Sequence, residues 1–425
     1  MSARRYVKIA PFNTGINPVD FQIDPQEDFI DLNDSFIELD LVLKKDNDTN
    51  LAAADQILPV NNLAHALFKQ IIVRLNGTLI SPQTDTYHHK AFIEQIVDGE
   101  NLLPPQGWFN SLNVPDTADT ALTANQLNPA HDDYAALPED TKIAIQNRLQ
   151  YLDGKKVTLR FKPFLEVFHL SKLLIPGVQI QMQMYFNNPS MWSVVYGGGR
   201  TLRLTEADVN VRLFLAQVRV TPSIYRELME DMKTGIVSYP TVRSEICTYS
   251  HADPERYFEC NNPFRNQLPN RVIVALLQQD AFNGDAARYP FSYQKFNLSS
   301  IKQLVRGEEY PYETLELKHD DTSNDLRGYH RFLQATGCLC RHKGNMVRAS
   351  DWGQAKKGTL FVFDNTANGC LDSSVLNPKQ SADLRLVITF GAAPGANLII
   401  LIYGEFENLI EADRNNTITY VVYQL

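Results

Sequence analysis

Hydrophobic and polar residues alternate along most of the chain with the period of two that is typical of β-strands. In 178–186 every second residue is apolar, and the residues between them are three glutamines and a tyrosine. The same alternation occurs at 37–43, 208–220 and 384–390, and further strands are predicted at 271–277, 359–363, 398–406 and 417–423. A strand with this pattern buries one face and exposes the other. The chain is therefore predicted to be an all-β protein.

Helices are predicted to be few and short. One begins at Pro222, a residue favoured in the first turn of a helix, and ends before Gly235. Two others are predicted at 86–97 and 325–336, each followed by a glycine. Their inward-facing residues are predicted to be Phe92, Ile93 and Ile96 in the first, and Leu326, Tyr329, Phe332 and Leu333 in the second.

The order of these elements is repeated. A hairpin that turns at Asn76-Gly77 precedes the helix at 86–97, and a hairpin that turns near Arg306-Gly307 precedes the helix at 325–336. Similar elements therefore recur about 200–230 residues apart, which indicates one β-module used twice. Modules of this size favour two jelly-roll β-sandwiches in tandem over an immunoglobulin-like pair, whose modules have about 100 residues. We expect a first jelly roll at 1–220, a linker helix at 221–235 and a second jelly roll at 236–425.

The composition excludes several classes of protein. Of 425 residues, 44% are hydrophobic and 21% are charged, and the net charge of −9 argues against a protein that condenses nucleic acid by its bulk charge. The longest apolar run, 398–403, is too short for a membrane helix, and no apolar segment of a secretory signal follows the basic N-terminus. Five cysteines in so long a chain are not a disulfide framework. We therefore expect synthesis in a reducing compartment, the cytoplasm or nucleus.

The sequence contains no convincing catalytic, cofactor or metal site. The glycine run 197–199 lacks the helix and the Lys-Ser/Thr pair of a phosphate-binding loop. Cys338, Cys340 and His342 are close together, but their spacing is not that of a zinc site and Cys370 alone remains to complete one. Paired carboxylates occur in polar loop segments, as at 132–133, 308–309 and 320–321, and no pair stands out. We expect no cofactor and no enzymatic activity.

Nine histidines are scattered along the chain, and two of them are adjacent. His88 and His89 fall on the predicted helix at 86–97, where neighbouring residues are expected to point in different directions. This spacing differs from the same-face spacing of metal-binding histidines. Structural histidines, in the core or at the surface, are the favoured interpretation.

The N-terminus is basic. Arg4, Arg5 and Lys8 precede the first predicted strand and form either a frayed terminus or an arm that contacts an acidic partner, such as nucleic acid or an anionic surface. We treat these three residues as a candidate interior-facing arm.

Several segments carry a resemblance to a known family. In the second half they are QLPNRVIVAL at 267–276, DAFNG at 280–284, YPFSYQKF at 289–296 and LIILIYGEFENLIEADRN at 398–415. In the first half they are PVNNL at 59–63, LFKQ at 67–70, LNG at 75–77 and Tyr87. Together these segments resemble the major capsid proteins of Polinton (Maverick) elements and of adintoviruses. The resemblance extends over about 55–425 and leaves 100–150 unmatched.

The resemblance implies a hexon-like, double jelly-roll coat protein. Such chains form homotrimers, and these pseudo-hexameric capsomers tile an icosahedral shell around a DNA genome together with penton and minor or cement proteins. The polar segment 100–150, with Trp108 and Phe109, is then a candidate outward tower or trimer clasp, and 337–358 is its counterpart. Binding to a specific nucleic-acid sequence is not expected, and membrane contact is left open.

Two other functions fit the same fold. Jelly rolls commonly bind or cleave carbohydrates, so a carbohydrate-binding or carbohydrate-active double β-sandwich is the main alternative. Trp108, Trp192 and Trp352 are too far apart in the sequence to indicate one aromatic platform. A host protein domesticated from such an element would have the same sequence features as a viral coat protein.

Overall fold

The computed structural model of the chain describes residues 3–13, 15, 17–51, 55, 57–81, 84–98, 123–149, 155–195, 202–232, 235–318, 326–341, 344–353, 357–367, 369 and 380–420. It is built mainly from β-strands, and its short helices lie in the connections. This confirms the predicted fold class.

The strands of the first half form two four-stranded antiparallel sheets and two short two-stranded ones. In chain order they are β1 (Ala3–Ile9), β2 (Val19–Ile23), β3 (Phe29–Val42), β4 (Lys44–Lys45), β5 (Ile57–Pro59), β6 (Phe68–Leu75), β7 (Thr78–Leu79), β8 (Lys156–Phe161), β9 (Ile180–Phe186), β10 (Ser193–Val195), β11 (Leu202–Arg203) and β12 (Val209–Arg219). The large sheets have the orders β1-β12-β3-β8 and β2-β9-β6-β7, and the small ones pair β10 with β5 and β11 with β4.

The strands of the second half form two five-stranded sheets. They are β13 (Val237–His251), β14 (Tyr257–Asn261), β15 (Arg271–Gln278), β16 (Leu298–Val305), β17 (Glu308–Glu309), β18 (Leu315–Glu316), β19 (Leu360–Asp364), β20 (Leu384–Phe390), β21 (Leu398–Ala412) and β22 (Ile418–Tyr420). The orders are β13-β21-β15-β19, with β22 on β21, and β14-β20-β16-β17, with β18 on β16.

The two halves follow the same path through their sheets. If the eight main strands of each half are numbered from one to eight, both halves have the sheet orders 1-8-3-6 and 2-7-4-5. This is the arrangement of a jelly roll, in which two antiparallel sheets pack face to face. The repetition predicted from element order is therefore confirmed by topology, although the domain boundaries stay a prediction.

The two predicted hairpins are confirmed, and their turns have the same geometry. Asn76 and Gly77 connect β6 to β7 with φ values of 46° and 82°, and Arg306 and Gly307 connect β16 to β17 with φ values of 55° and 85°. Two consecutive positive φ values define a type I′ turn, whose twist matches that of the flanking strands.

The helices are α1 (Leu63–Ala66), α2 (Tyr87–Asp98), α3 (Ala124–Leu127), α4 (Asp132–Ala135), α5 (Glu139–Leu149), α6 (Pro222–Met232), α7 (Gln279–Asn283), α8 (Arg327–Ala335) and α9 (Cys338–Arg341). The predicted helices correspond to α2, α6 and α8. The long polar segment 100–150 is predicted to be a loop, and for its described part, 123–149, this prediction is wrong because that part contains α3, α4 and α5. None of the helices in the described ranges has the length and apolarity required to cross a membrane.

The expectation that the basic N-terminus precedes the strands is also wrong. Residues 3–9 are strand β1 itself, which pairs with β12 along its whole length, from Ala3 opposite Arg219 to Ile9 opposite Leu213. The strand was missed because its side chains are mostly exposed, so it lacks a clear apolar face.

Candidate functional site: the joint between the two jelly rolls

Helix α2 lies between the two jelly rolls and is buried on nearly all sides. Its predicted apolar residues are buried, but so are His88, His89, Lys90 and Gln95. Polar side chains on a helix normally face water, and here the second jelly roll covers them. We call the contacts of α2 with residues of the second half the joint.

Aromatic rings form the apolar part of the joint. The ring of Phe92 stacks on that of Phe291 with centroids 4.4 Å apart and an interplanar angle of 6°. The imidazole of His89 stacks on Phe282 at 5.3 Å, and its Nδ1 lies 2.9 Å from the hydroxyl oxygen of Tyr293. These stacking geometries are favourable for buried rings and align α2 with the second jelly roll.

His88 and His89 lie side by side. Their ring centroids are 4.3 Å apart, and both rings contact Phe291 at centroid distances of 6.2 and 5.5 Å. The prediction that they point in different directions is therefore wrong, because the second jelly roll draws both rings to one side of α2. Burial lowers the pKa of His88 to about 3 and that of His89 well below its usual value.

A buried ion pair closes one end of the joint. The guanidinium of Arg271, at the start of β15, donates from Nη1 to Asp98 Oδ1 at 2.9 Å and from Nε to Glu405 Oε2 at 2.9 Å. Arg271 is only 3% exposed. Burial alone would lower the pKa of Arg271, but Asp98 and Glu405 outweigh it and raise the pKa. The end of α2 is thus tied to two strands of the second half.

A second charged group lies about two turns before Asp98 on α2. The ammonium of Lys90 lies 3.5 Å from Glu166 Oε1 and 3.8 Å from Glu94 Oε1. Glu166 also accepts a hydrogen bond of 3.4 Å from the backbone N–H of Ser244, on β13. Burial acts to lower the pKa of Lys90, but the carboxylates of Glu166 and Glu94 raise it above its usual value. Lys90 is therefore held as a cation beside the joint, and its partner Glu166 makes the contact with the second half.

The hydroxyl of Tyr403 links the two charged groups. It lies 2.7 Å from Glu94 Oε1 and 2.8 Å from Glu405 Oε1, but it has one proton to donate. Glu405 also accepts two hydrogen bonds from the guanidinium of Arg271. Burial raises the pKa of Glu94 to about 7, against the opposing effects of Lys90 and Tyr403. The Tyr403 hydroxyl can donate to one of these two carboxyl groups at a time, and it connects Glu94 on α2 to Glu405 on β21.

The hairpin before α2 also contacts the second half. Asn76 Nδ2 donates to the carbonyl oxygen of Asn416 at 2.6 Å, and Thr78 Oγ1 donates to that of Ile418, in β22, at 2.9 Å. The hairpin and α2 together therefore fix one jelly roll against the other.

The basic residues of the N-terminus are held on the surface of the first sheet. Arg4 Nη2 lies 2.8 Å from Asp31 Oδ2 and also pairs with Asp34. Arg5 Nη2 lies 3.4 Å from Asp28 Oδ2, and Lys8 is exposed on the same strand. The structure therefore places these residues on an edge strand, where two of the three charges are already paired.

The candidate tower residues Trp108 and Phe109 lie outside the described residues. The part of the segment that is described returns to the first jelly roll, because α5 contacts β5 and Arg148 Nη2 donates to Asn61 Oδ1 at 2.6 Å. Arg148 is 1% exposed. In the counterpart segment, the backbone N–H of Met346 donates to the carbonyl oxygen of Ile96 at 2.9 Å, so part of 337–358 belongs to the joint.

In the described ranges, no group of three or more His, Cys, Asp or Glu residues is arranged to hold a metal ion. The sulfur of Cys338 lies 3.2 Å from Thr336 Oγ1 and 3.2 Å from Asn345 Nδ2, which are contacts of a structural cysteine. His342 and Cys370 lie outside the described residues.

Large apolar side chains remain exposed on both halves. Phe12 is 80% exposed, Ile236 is 64% exposed and Leu326 is 56% exposed. On α6, Ile224 and Leu228 are four residues apart and both exposed, so one apolar face of this helix is uncovered. These side chains are available for contacts with other molecules.

Sequence reasoning missed the charged residues of the joint. The spacing of Lys90 and Glu94, four residues apart on a helix, was visible and indicates a helical ion pair. It does not reveal burial, because Glu166, Arg271 and Tyr403 are far away in the sequence.

Comparisons with known proteins agree with the fold. No family model matches the chain. It is similar to an uncharacterized protein of Caenorhabditis elegans, with 20% identity over 86% of this chain and 82% of that protein. Among solved structures it is similar to a chain of the Sputnik virophage, with a TM-score of 0.59 and 11% identity over 100% of this chain and 89% of that one.

Two further solved structures are similar over nearly the whole chain. The mavirus major capsid protein has a TM-score of 0.56 and 12% identity, over 98% of this chain and 89% of that one. PBCV-1 VP54 has a TM-score of 0.56 and 10% identity, over 100% of this chain and 98% of that one. The described chain is therefore a double jelly roll of the kind found in viral major capsid proteins.

Proposed function

We propose that this chain is a major capsid protein that forms homotrimeric, pseudo-hexameric capsomers in an icosahedral shell around a DNA genome. The observation that carries the proposal is the similarity of both jelly rolls together, over 98–100% of the chain, to structures that include the mavirus major capsid protein. A match over one jelly roll would support only a common sandwich fold.

The joint supports this function physically. A shell subunit must transmit contacts between neighbours without bending between its two sandwiches. The pair of Arg271 with Asp98 and the stacked rings of Phe92 and Phe291 lock the two jelly rolls in one relative position. The hydrogen bond from the backbone of Ser244 to Glu166 adds a further contact between them. Such a subunit can carry the large interfaces that obligate assemblies need, on the order of 2,000 Å² or more.

The Polinton or adintovirus relationship belongs to this proposal, as do the penton and minor or cement proteins as partners. The virion is the proposed location after synthesis in a reducing compartment of the host. A purely structural role, without catalysis, is part of the same proposal. The net charge of −9 is consistent with a subunit that encloses a genome without binding it tightly.

We further propose that strand β1, with Arg4, Arg5 and Lys8, faces the interior and that Trp108 and Phe109 contribute to the trimer contact. The second idea is tested by replacing both aromatic residues with alanine. The expected result is loss of trimers with unchanged circular dichroism. The matched control is Phe12→Ala, which removes an aromatic ring that is exposed on the first jelly roll and should leave trimers intact.

The main test is the mass of the purified full chain in solution, followed by electron microscopy. The expected mass is three times the 48.2 kDa of the chain, in particles with a pseudo-hexagonal outline. A chain that stays monomeric at every concentration and forms no shells contradicts the proposal.

One observation favours glycan binding as a second candidate function. A groove of about 260 Å³ on the outer face of the β2-β9-β6-β7 sheet is lined by Phe12, Arg74, Gln22, Gln181 and Gln183, among others. Amide and guanidinium groups beside an exposed aromatic ring are typical of sugar recognition. Saturable binding of a glycan to a monomer, abolished by Arg74→Ala, would favour this function over the capsid.

A further inference from the structure

The two adjacent histidines of the joint are buried without the partners that buried polar groups normally have. Both ring nitrogens of His88 and the Nε2 of His89 are fully buried and have no hydrogen-bond partner among the described residues. His88 is 4% exposed and His89 is 0% exposed. Unpartnered buried nitrogens are costly, and such groups call for an explanation beyond packing.

The surroundings of the two rings are apolar and aromatic. From the second half, Phe282 on α7 and the segment 289–293 contact the rings, and Tyr293 is the titratable group that faces His89. On α2, the two histidines face each other, and Lys90 is engaged by its carboxylates. Asp280, the acidic residue of α7, is exposed to solvent. Within the described chain, neither ring forms an ion pair with a carboxylate that could stabilise its charged form.

We propose that the His88–His89 pair makes the joint acid-sensitive, so that protonation in a mildly acidic environment releases α2 from the second jelly roll. The rings can accept protons only when the joint opens and water reaches them. The inference concerns the single chain and does not depend on the proposed assembly.

The direction of the effect follows from linkage. The folded pKa of each ring is below the ordinary value of 6.5, so the stability that the neutral rings contribute is complete above pH 6.5 and is lost as the pH falls. At pH 5, each ring multiplies the equilibrium constant for opening by about 30, relative to pH 8. The pair therefore multiplies it by about 1,000.

Glu94 acts in the opposite direction. Its raised pKa, about 7, means that its contribution to stability is complete below pH 4.5 and is lost as the pH rises through 7. When the pH is lowered from 8 to 5, Glu94 reduces the equilibrium constant for opening by up to about 70-fold. This is an upper bound because the side chain of Glu94 is 17% exposed. The native chain is thus expected to open about tenfold more at pH 5 than at pH 8.

The test is hydrogen exchange of the full chain, followed by mass spectrometry of peptides from α2 and 289–296 and corrected for the pH dependence of intrinsic exchange. Protection of these peptides should fall about tenfold from pH 8 to pH 5. In Glu94→Gln, which removes the opposing group, it should fall about 1,000-fold. In His88→Phe the protection should not fall, because the effect of His89 on opening is offset by the opposite effect of Glu94.

In the double variant His88→Phe with Glu94→Gln, protection should fall about 30-fold from pH 8 to pH 5. The proposal can therefore be tested even if one single variant folds poorly. The matched control is His330→Phe on α8, where the ring is exposed and the response should equal that of the native chain. Protection in Glu94→Gln that does not change with pH would overturn the proposal. An acid response of Glu94→Gln that persists fully when His88→Phe is added would overturn it as well.

Discussion

Helices α2 and α8 occupy equivalent places in the two jelly rolls but have opposite surroundings. Each follows a hairpin with a type I′ turn, β6–β7 or β16–β17. In α2 the polar residues are buried by the other half, whereas α8 buries Gly328, Phe332 and Ala335 and exposes His330. The same local unit has therefore become an internal contact in one half and a surface helix in the other.

The difference shows how a repeated module produces a single asymmetric subunit. The first module contributes α2 to the joint, and the second contributes β15, β21 and the segment 289–293. The Arg271–Asp98 pair joins the two modules and disfavours other relative positions of them, because a shift would leave the buried guanidinium of Arg271 without Asp98. The predictions below test whether α2 and α8 differ in this way.

The largest effect is expected at Arg271. Arg271→Ala leaves the largely buried carboxylate of Glu405 and the partly exposed carboxylate of Asp98 without their partner, and should lower the free energy of unfolding by about 3 kcal/mol. Urea denaturation measures this. Arg160→Ala, which breaks an exposed pair with Glu38, is the control and should cost less than about 1 kcal/mol. Equal losses in the two variants would show that the joint contributes no more than the surface.

The next effect concerns the packing of α8. An added methyl group at Gly328 would lie 1.9 Å from the Trp352 ring, so Gly328→Ala should destabilise the chain by about 1–3 kcal/mol despite the better helix propensity of alanine. Gly344→Ala meets no neighbouring atom and should stay within about 0.5 kcal/mol of the native chain. A thermal midpoint of Gly328→Ala at or above the native value would contradict this account of α8.

The two hairpin turns should lose the same stability when their glycine is replaced by alanine, whereas the two helices should differ in their response to substitution. Gly77 and Gly307 both have positive φ and open space around them. Gly77→Ala and Gly307→Ala should therefore each cost about 1 kcal/mol, through backbone strain alone. A difference above about 0.5 kcal/mol between them in urea denaturation would mean that the hairpins are not equivalent.

The smallest effect is expected at Arg306, which has a left-handed conformation that asparagine tolerates better. Arg306→Asn should stabilise the chain by a few tenths of a kcal/mol, reduced by the lost hydrogen bond from Arg306 to the carbonyl oxygen of Ser381. The shift in the thermal midpoint measures it. A clear loss of stability would indicate that the arginine side chain matters more than the turn.

Much of the fold could be predicted because its signals are local. The alternation at 178–186 and 384–390 predicted strands β9 and β20, and the turn residues predicted both hairpins. The failures were elements without a clear apolar face. Strand β1 is held by its pairing with β12, and α5 by contacts of buried residues such as Arg148.

The candidate site could be predicted only in part. The apolar residues Phe92, Ile93 and Ile96 were expected to face inward, and they do. The polar face of the same helix looked like a surface, since its partners lie about 70 to 310 residues farther along the chain.

The sequence by itself determined the strands, the turns, the repetition of the module and the low net charge of the chain, because these depend on neighbouring residues or on simple sums. Only the tertiary structure decided that α2 is internal, that burial lowers the pKa values of His88 and His89, and that burial raises the pKa of Glu94. The physical reason is that burial and pKa depend on which distant surfaces meet, and no local pattern contains that information.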